Sequence, residues 1–163
     1  MKLLTSLIVG AFFMFGAVSA QAQDFAKGFA AYQTGDFATA LKEWRPLAEQ
    51  GNAQAQKNLG FMYKNGKGVA QDYAEAVKWY RLAAEQGDAD AQNNLGVMYA
   101  YGDGVVQDNI LSHMWYNIAS ANGTEASKKR QDEIATKMTA ADISKAQAMA
   151  KECMSSGYKN CGW

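Results

Sequence analysis

The chain of 163 residues sets 16 Lys and Arg against 16 Asp and Glu, with 48% hydrophobic and 20% charged residues. This composition excludes wholesale disorder, and a surface of zero net charge is wrong for displacing counterions from phosphate, so no nucleic-acid partner is expected. The 29 alanines beside a single proline point to an all-α protein.

Residues 1–22 read as a secretory signal peptide. Lys2 supplies a positive start, Leu3 to Val18 is an uncharged and mainly apolar run, and Ala20-Gln21-Ala22 places small residues at cleavage spacing, which predicts a cut after Ala22. The run falls short of the roughly 20 residues of a spanning helix, so no stable membrane anchor is expected after cleavage. Removal of the leader leaves 15 basic against 16 acidic side chains. A periplasmic or secreted location follows as the expectation.

Residues 23–52 read as a divergent helical hairpin. The segment Asp36-Phe37-Ala38-Thr39-Ala40-Leu41 parallels Asp72-Tyr73-Ala74-Glu75-Ala76-Val77 further on, but Gly28 lies 8 residues before Asp36 where Gly60 lies 12 before Asp72. The connection between its two helices is therefore shorter. Pro46 falls inside the second helix and is expected to kink or loosen it, because an interior proline removes a hydrogen bond.

Residues 53–88 and 89–124 are two copies of one unit, identical at 17 of 36 aligned positions. A repeat of that period is a supersecondary unit that buries its apolar surface on its own copies. Ala55, Leu59 and Tyr63 recur at helical spacing and stop at Gly66. Gly66-Lys67-Gly68-Val69 makes the loop. Asp72 then stands as the N-cap of a second helix with Ala76, Trp79, Tyr80 and Ala83 on its apolar stripe, ended by Gly87. The second copy repeats Leu95, Gly96, Tyr99, Gly102, Gly104, Asp108 and Trp115 in place of Leu59, Gly60, Tyr63, Gly66, Gly68, Asp72 and Trp79, and departs at Ser112 and Ser120.

These glycine-punctuated marks resemble the Sel1-like repeat family, which is related to tetratricopeptide repeats. The resemblance implies an α-solenoid of paired helices serving as a protein-interaction scaffold. In cysteine-rich relatives described as β-lactam binding, each repeat carries a cysteine pair; these repeats carry none, which makes a β-lactam-binding or hydrolytic enzyme the alternative reading. An accessory subunit of a cell-envelope complex is a third. By the same resemblance, the concave wall for a protein or peptide partner maps to Phe25, Phe29 and Tyr32, to Gln54, Lys57, Phe61, Lys64 and Asn65, and to Asp90, Asn93, Val97, Ala100 and Tyr101.

Residues 125–163 read as capping helices with a closed tail. Glu125 to Lys137 is sparse in apolar residues, the basic run Lys128-Lys129-Arg130 reads as a solvated helix face, and Thr139 with Asp142 marks a further N-terminus. Cys153 and Cys161 are the only cysteines, and in an exported chain the pair suggests a disulfide. They lack C-x-x-C spacing, and a zinc site would need two further ligands. His113, the only histidine, sits where the preceding repeat has Val77 and reads as a structural or half-exposed side chain. No catalytic motif, metal site or cofactor-binding motif is present; Gly66-x-Gly68 and Gly102-x-Gly104 join helices and lack the strand that a nucleotide fingerprint needs.

Overall fold

The computed structural model describes Ala22, residues 24–159, Cys161 and Gly162; the expected leader, Ala22 apart, lies outside the described residues. Among these are eight helices and no strand: α1 (residues 24–33), α2 (Phe37–Glu49), α3 (Ala53–Asn65), α4 (Tyr73–Ala84), α5 (Ala89–Tyr101), α6 (Asn109–Ala121), α7 (Glu125–Ala135) and α8 (Ala140–Ser155). Consecutive helices pair as antiparallel hairpins stacked in sequence, an all-α solenoid.

Six of the helices begin where a side chain replaces the missing backbone partner. Asp36, Asn52, Asp72, Asp88, Asp108 and Thr139 accept from backbone N–H groups in the first turns of their helices. The first helix of each full repeat ends at Gly66 or Gly102, with φ of 63° and 76°, a left-handed cap that side chains with a Cβ resist. Pro46 does not interrupt α2, which runs unbroken from Phe37 to Glu49. The proline is exposed while Trp44 and Leu47 beside it are buried, so packing on the inner side holds the turn that has lost a donor.

Hairpin closure rests on backbone meeting ring. A Cβ on Gly60 would stand 2.7 Å from the Tyr80 ring, and one on Gly96 would stand 2.6 Å from the Tyr116 ring. No real side chain occupies such a space. The first hairpin repeats the device with Gly28 against Trp44, whose indole N–H donates to the Phe25 carbonyl at 3.2 Å. Ser112, the departure from Ala76, donates to the Gly96 carbonyl at 2.8 Å and so adds a bond at the same crossing.

Stacking of one hairpin on the next uses buried amides. Gln56 donates to the Ala48 carbonyl at 3.0 Å and accepts from Gln86 at 2.7 Å; one repeat later, Gln92 donates to the Ala84 carbonyl at 3.1 Å and accepts from Asn122 at 2.8 Å. Buried amides satisfied in this way fix register, because a slip would strand them without partners. Arg45 to the Tyr63 hydroxyl and Arg81 to the Tyr99 hydroxyl, both at 2.8 Å, form a second inter-hairpin series.

The stack closes at α8. Cys153 and Cys161, both fully buried, form a disulfide, which keeps the tail against the last helix. Within the closed loop, Tyr158 accepts from the Asn122 amide at 2.8 Å, and its ring lies over Gly87.

Gly96→Ala should lower unfolding free energy by about 1–3 kcal/mol, the usual range for forced overpacking, as read by urea denaturation. An unchanged midpoint would show that the ring can withdraw without cost. Replacing both cysteines by Ala should lower stability by about 2–3 kcal/mol through the freed loop, measured by the same transition in oxidised and substituted protein.

Candidate partner-binding face

The first helices of the hairpins adjoin one another. The Tyr32 ring of α1 meets the Phe61 ring of α3 edge-on, with centroids 6.3 Å apart. Lys57 of α3 reaches Asp90 of α5 at 3.0 Å and Asp88 at 3.6 Å. Asn93 of α5 accepts from Ser127 at 2.9 Å and from Arg130 at 2.7 Å, both on α7. Helices α1, α3, α5 and α7 therefore form one continuous face.

Side chains expected at the concave wall fall into three groups. Phe29, Gln54, Phe61, Asn65, Asp90 and Tyr101 are exposed, with Tyr101 at 74% and Phe29 at 48%, unusual for large apolar groups. Phe25, Tyr32, Val97 and Ala100 are half-buried; Phe25 and Tyr32 pack on Trp44 with ring centroids at 5.9 and 5.7 Å, so they seal the first hairpin as well as facing outward. Lys57 and Asn93 are committed to links between neighbouring helices. Burial disfavours the Lys57 ammonium, yet its hydrogen bond to Asp90 and the charges of Asp88 and Asp90 hold its pKa above the ordinary lysine value.

Lys64 stands apart. It is half-buried, its ammonium has no hydrogen bond or ion pair among the described residues, and its pKa is lowered by burial and by the nearby Arg130 guanidinium, with Asp103 opposing. Asn65 turns its amide back onto the Phe61 carbonyl at 2.8 Å.

Between α5 and α7 lies a cleft of about 290 Å³, with Tyr116 of α6 among its lining residues. Val97, Ala100 and Ile134 contribute apolar surface, and Tyr101, Arg130, Glu133 and Lys137 contribute polar groups. Burial raises the Tyr116 hydroxyl to about 12, against the opposing influence of Arg130 and of a hydrogen bond with Ser112; it stays a neutral phenol. The contributions of α6 and α7 were not among the expected site residues. The basic run reads as a solvated face, and for two of its members it is one: Lys128 pairs with Asp132 at 2.7 Å and Lys129 with Glu133 at 3.9 Å. Arg130 alone turns to Asn93.

His113 is buried rather than half-exposed, with Nδ1 lacking a hydrogen-bond partner among the described residues. Burial pushes its pKa below the ordinary histidine value, Lys128 adds to the effect and Asp132 opposes it. Among the described residues no cluster of His, Cys, Asp and Glu is arranged to hold a metal ion, and no helix is long and apolar enough to cross a membrane.

Comparison with known proteins follows the repeat boundaries. Residues 53–88 and 89–124 each match the Sel1 repeat. A crystal structure of a protective antigen present in uropathogenic Escherichia coli strains, displaying an SLR fold, superposes with a TM-score of 0.79 over 85% of this chain and 31% of that one, at 28% identity. A Sel1 repeat protein from Oxalobacter formigenes gives a TM-score of 0.63 over 66% of this chain and 44% of its own, at 30% identity. The chain thus spans less than half the length of either structure. No curated protein matches it.

His113, on α6, should make stability sensitive to acid. Its folded pKa lies below its unfolded value of about 6.5, so the unfolded chain takes up the proton first; the neutral side chain's contribution is complete above that pH and is lost as pH falls through it. Thermal unfolding of wild type and His113→Val between pH 7.5 and 5 should show a shallower acid decline in the variant. Parallel curves would remove His113 from that dependence.

Proposed function

This chain is a Sel1-repeat protein, and from that premise we propose that it is an exported, non-enzymatic scaffold that holds an extended segment of a protein partner along the face of α1, α3, α5 and α7. Repeat stacks present long surfaces whose partners lie across several units. The observation that carries this reading is the run of exposed aromatic rings on one face, Phe29 and Phe61 towards one end and Tyr101 towards the other. Aromatic groups left in water at this density are typical binding anchors, because they offer large contact area with few rotamers to fix.

Export is supported by the leader pattern of residues 1–22 and by a disulfide between two buried cysteines, which forms and persists in oxidising compartments. The same location suits the accessory-subunit version of a scaffold. No feature of the face favours an enzyme: it gathers cations, amides and rings without a nucleophile and base in mutual reach.

Phe29→Ala with Phe61→Ala removes two exposed rings and leaves the buried core intact. In affinity purification from cell-envelope extract, the double variant should lose partners that wild type retains, while Lys151→Glu on α8 should keep them. Identical partner lists for all three proteins would remove this face as the binding surface.

A further inference from the structure

The chain holds two Asn–Gly pairs, Asn65-Gly66 at the end of α3 and Asn122-Gly123 at the end of α6. Such a pair carries its own chemistry and needs no catalyst. The glycine backbone nitrogen loses its proton and attacks the asparagine Cγ, the Cγ–Nδ2 bond breaks and ammonia leaves; water then opens the resulting imide to Asp or to isoaspartate. Glycine favours the reaction because it has no side chain to obstruct the approach. Ring closure also requires rotation about the asparagine Cα–C bond until Cγ lies beside the next nitrogen, and a side-chain amide free to turn.

At residue 122 the fold withholds both. Asn122 is held at φ −90° and ψ 12°, and the Gly123 N–H donates to the Ser120 carbonyl at 3.1 Å. Its Nδ2 donates to Gln92 Oε1 and to the Tyr158 hydroxyl, each at 2.8 Å, and that hydroxyl donates back to Oδ1 at 3.1 Å. Two of these three side-chain contacts come from Tyr158, whose own N–H is tied to the Cys153 carbonyl at 2.8 Å inside the disulfide-closed loop. Asn65 is held differently, by a bond within its own helix to the Phe61 carbonyl.

The product of the reaction cannot remake these contacts. A carboxylate at residue 122 has no hydrogen to give, and Gln92 presents an acceptor oxygen to it. Gln92 is fully buried and its Nε2 donates to the Ala84 carbonyl at 3.1 Å, so it cannot turn round without stranding that carbonyl. Isoaspartate further lengthens the main chain by one carbon where α6 ends. We propose that Asn122 is a deamidation site held shut by the Tyr158 loop, and that its conversion is a one-way latch: a tail that stays open long enough loses its seat at the end of α6.

The test incubates the full chain and its Tyr158→Phe variant, which keeps the ring and the disulfide, in mildly alkaline buffer. Peptide mapping reads Asp and isoaspartate at both Asn–Gly pairs over time. Asn122 should convert at least about fivefold faster in the variant, the factor supplied by one lost hydrogen bond, while Asn65 converts at the same rate in both proteins. Equal Asn122 rates, or an acceleration that Asn65 shares, would overturn the gate. Asn122→Asp, made directly, should quicken hydrogen exchange in the tail peptide containing Tyr158 at least as much as Tyr158→Phe does. Exchange at the wild-type rate would overturn the latch.

Discussion

The architecture depends on an absence: at Gly28, Gly60 and Gly96 there is no side chain between a first helix and the aromatic ring of its partner. Trp44, Tyr80 and Tyr116 rest directly on backbone at those three crossings. Close approach brings the rest of each hairpin into contact, so Leu59, Met62, Leu95 and Met98 become fully buried although each helix is short. Dispersion between ring and backbone is individually small, and its value here lies in setting the interhelical distance at which everything else packs.

From that distance follows the order of the stack. Glutamine at residues 56 and 92 donates to a carbonyl of the preceding hairpin and accepts from an amide near the end of its own unit, so each unit is registered on the one before it by buried polar groups. Apolar contact supplies the cohesion and the amides supply the alignment. The face of α1, α3, α5 and α7 inherits this alignment. Lys57 and Asn93 are used to tie adjacent first helices together, and the side chains left over, aromatic at one end and cationic at the other, are held on fixed supports.

Much of this was legible in the sequence because repetition amplifies weak signals. A glycine such as Gly60 is ambiguous alone, but its recurrence as Gly96 marks a close-packed position; the rings that rest on these glycines, Tyr80 and Tyr116, emerge only in the packing. Caps at Asp72, Asp108 and Thr139 were readable because a short polar side chain before an apolar stripe has one favourable use. Arg130 was not readable by the same means. Three consecutive basic residues followed by acids look uniformly solvated, and only the helix geometry separates Lys128 and Lys129, which meet acids one turn on, from Arg130, which faces α5. Pro46 shows the limit of local chemistry from another side: the helix runs on through it from Phe37 to Glu49, with its neighbours Trp44 and Leu47 buried.

Tyr158 occupies the position 36 residues after Asn122, which itself lies 36 after Gln86. Gln86 and Asn122 each belong to a hairpin and pass the amide series forward, but Tyr158 belongs to a loop closed by the Cys153–Cys161 bond. A phenol therefore sits where a further unit would offer its amide, and its ring covers Gly87. Units that stack on copies of themselves have an inherent tendency to go on adding copies, whether along one chain or between molecules. Here that position is filled by a phenol on a loop held by a covalent bond rather than by an amide on a further helix.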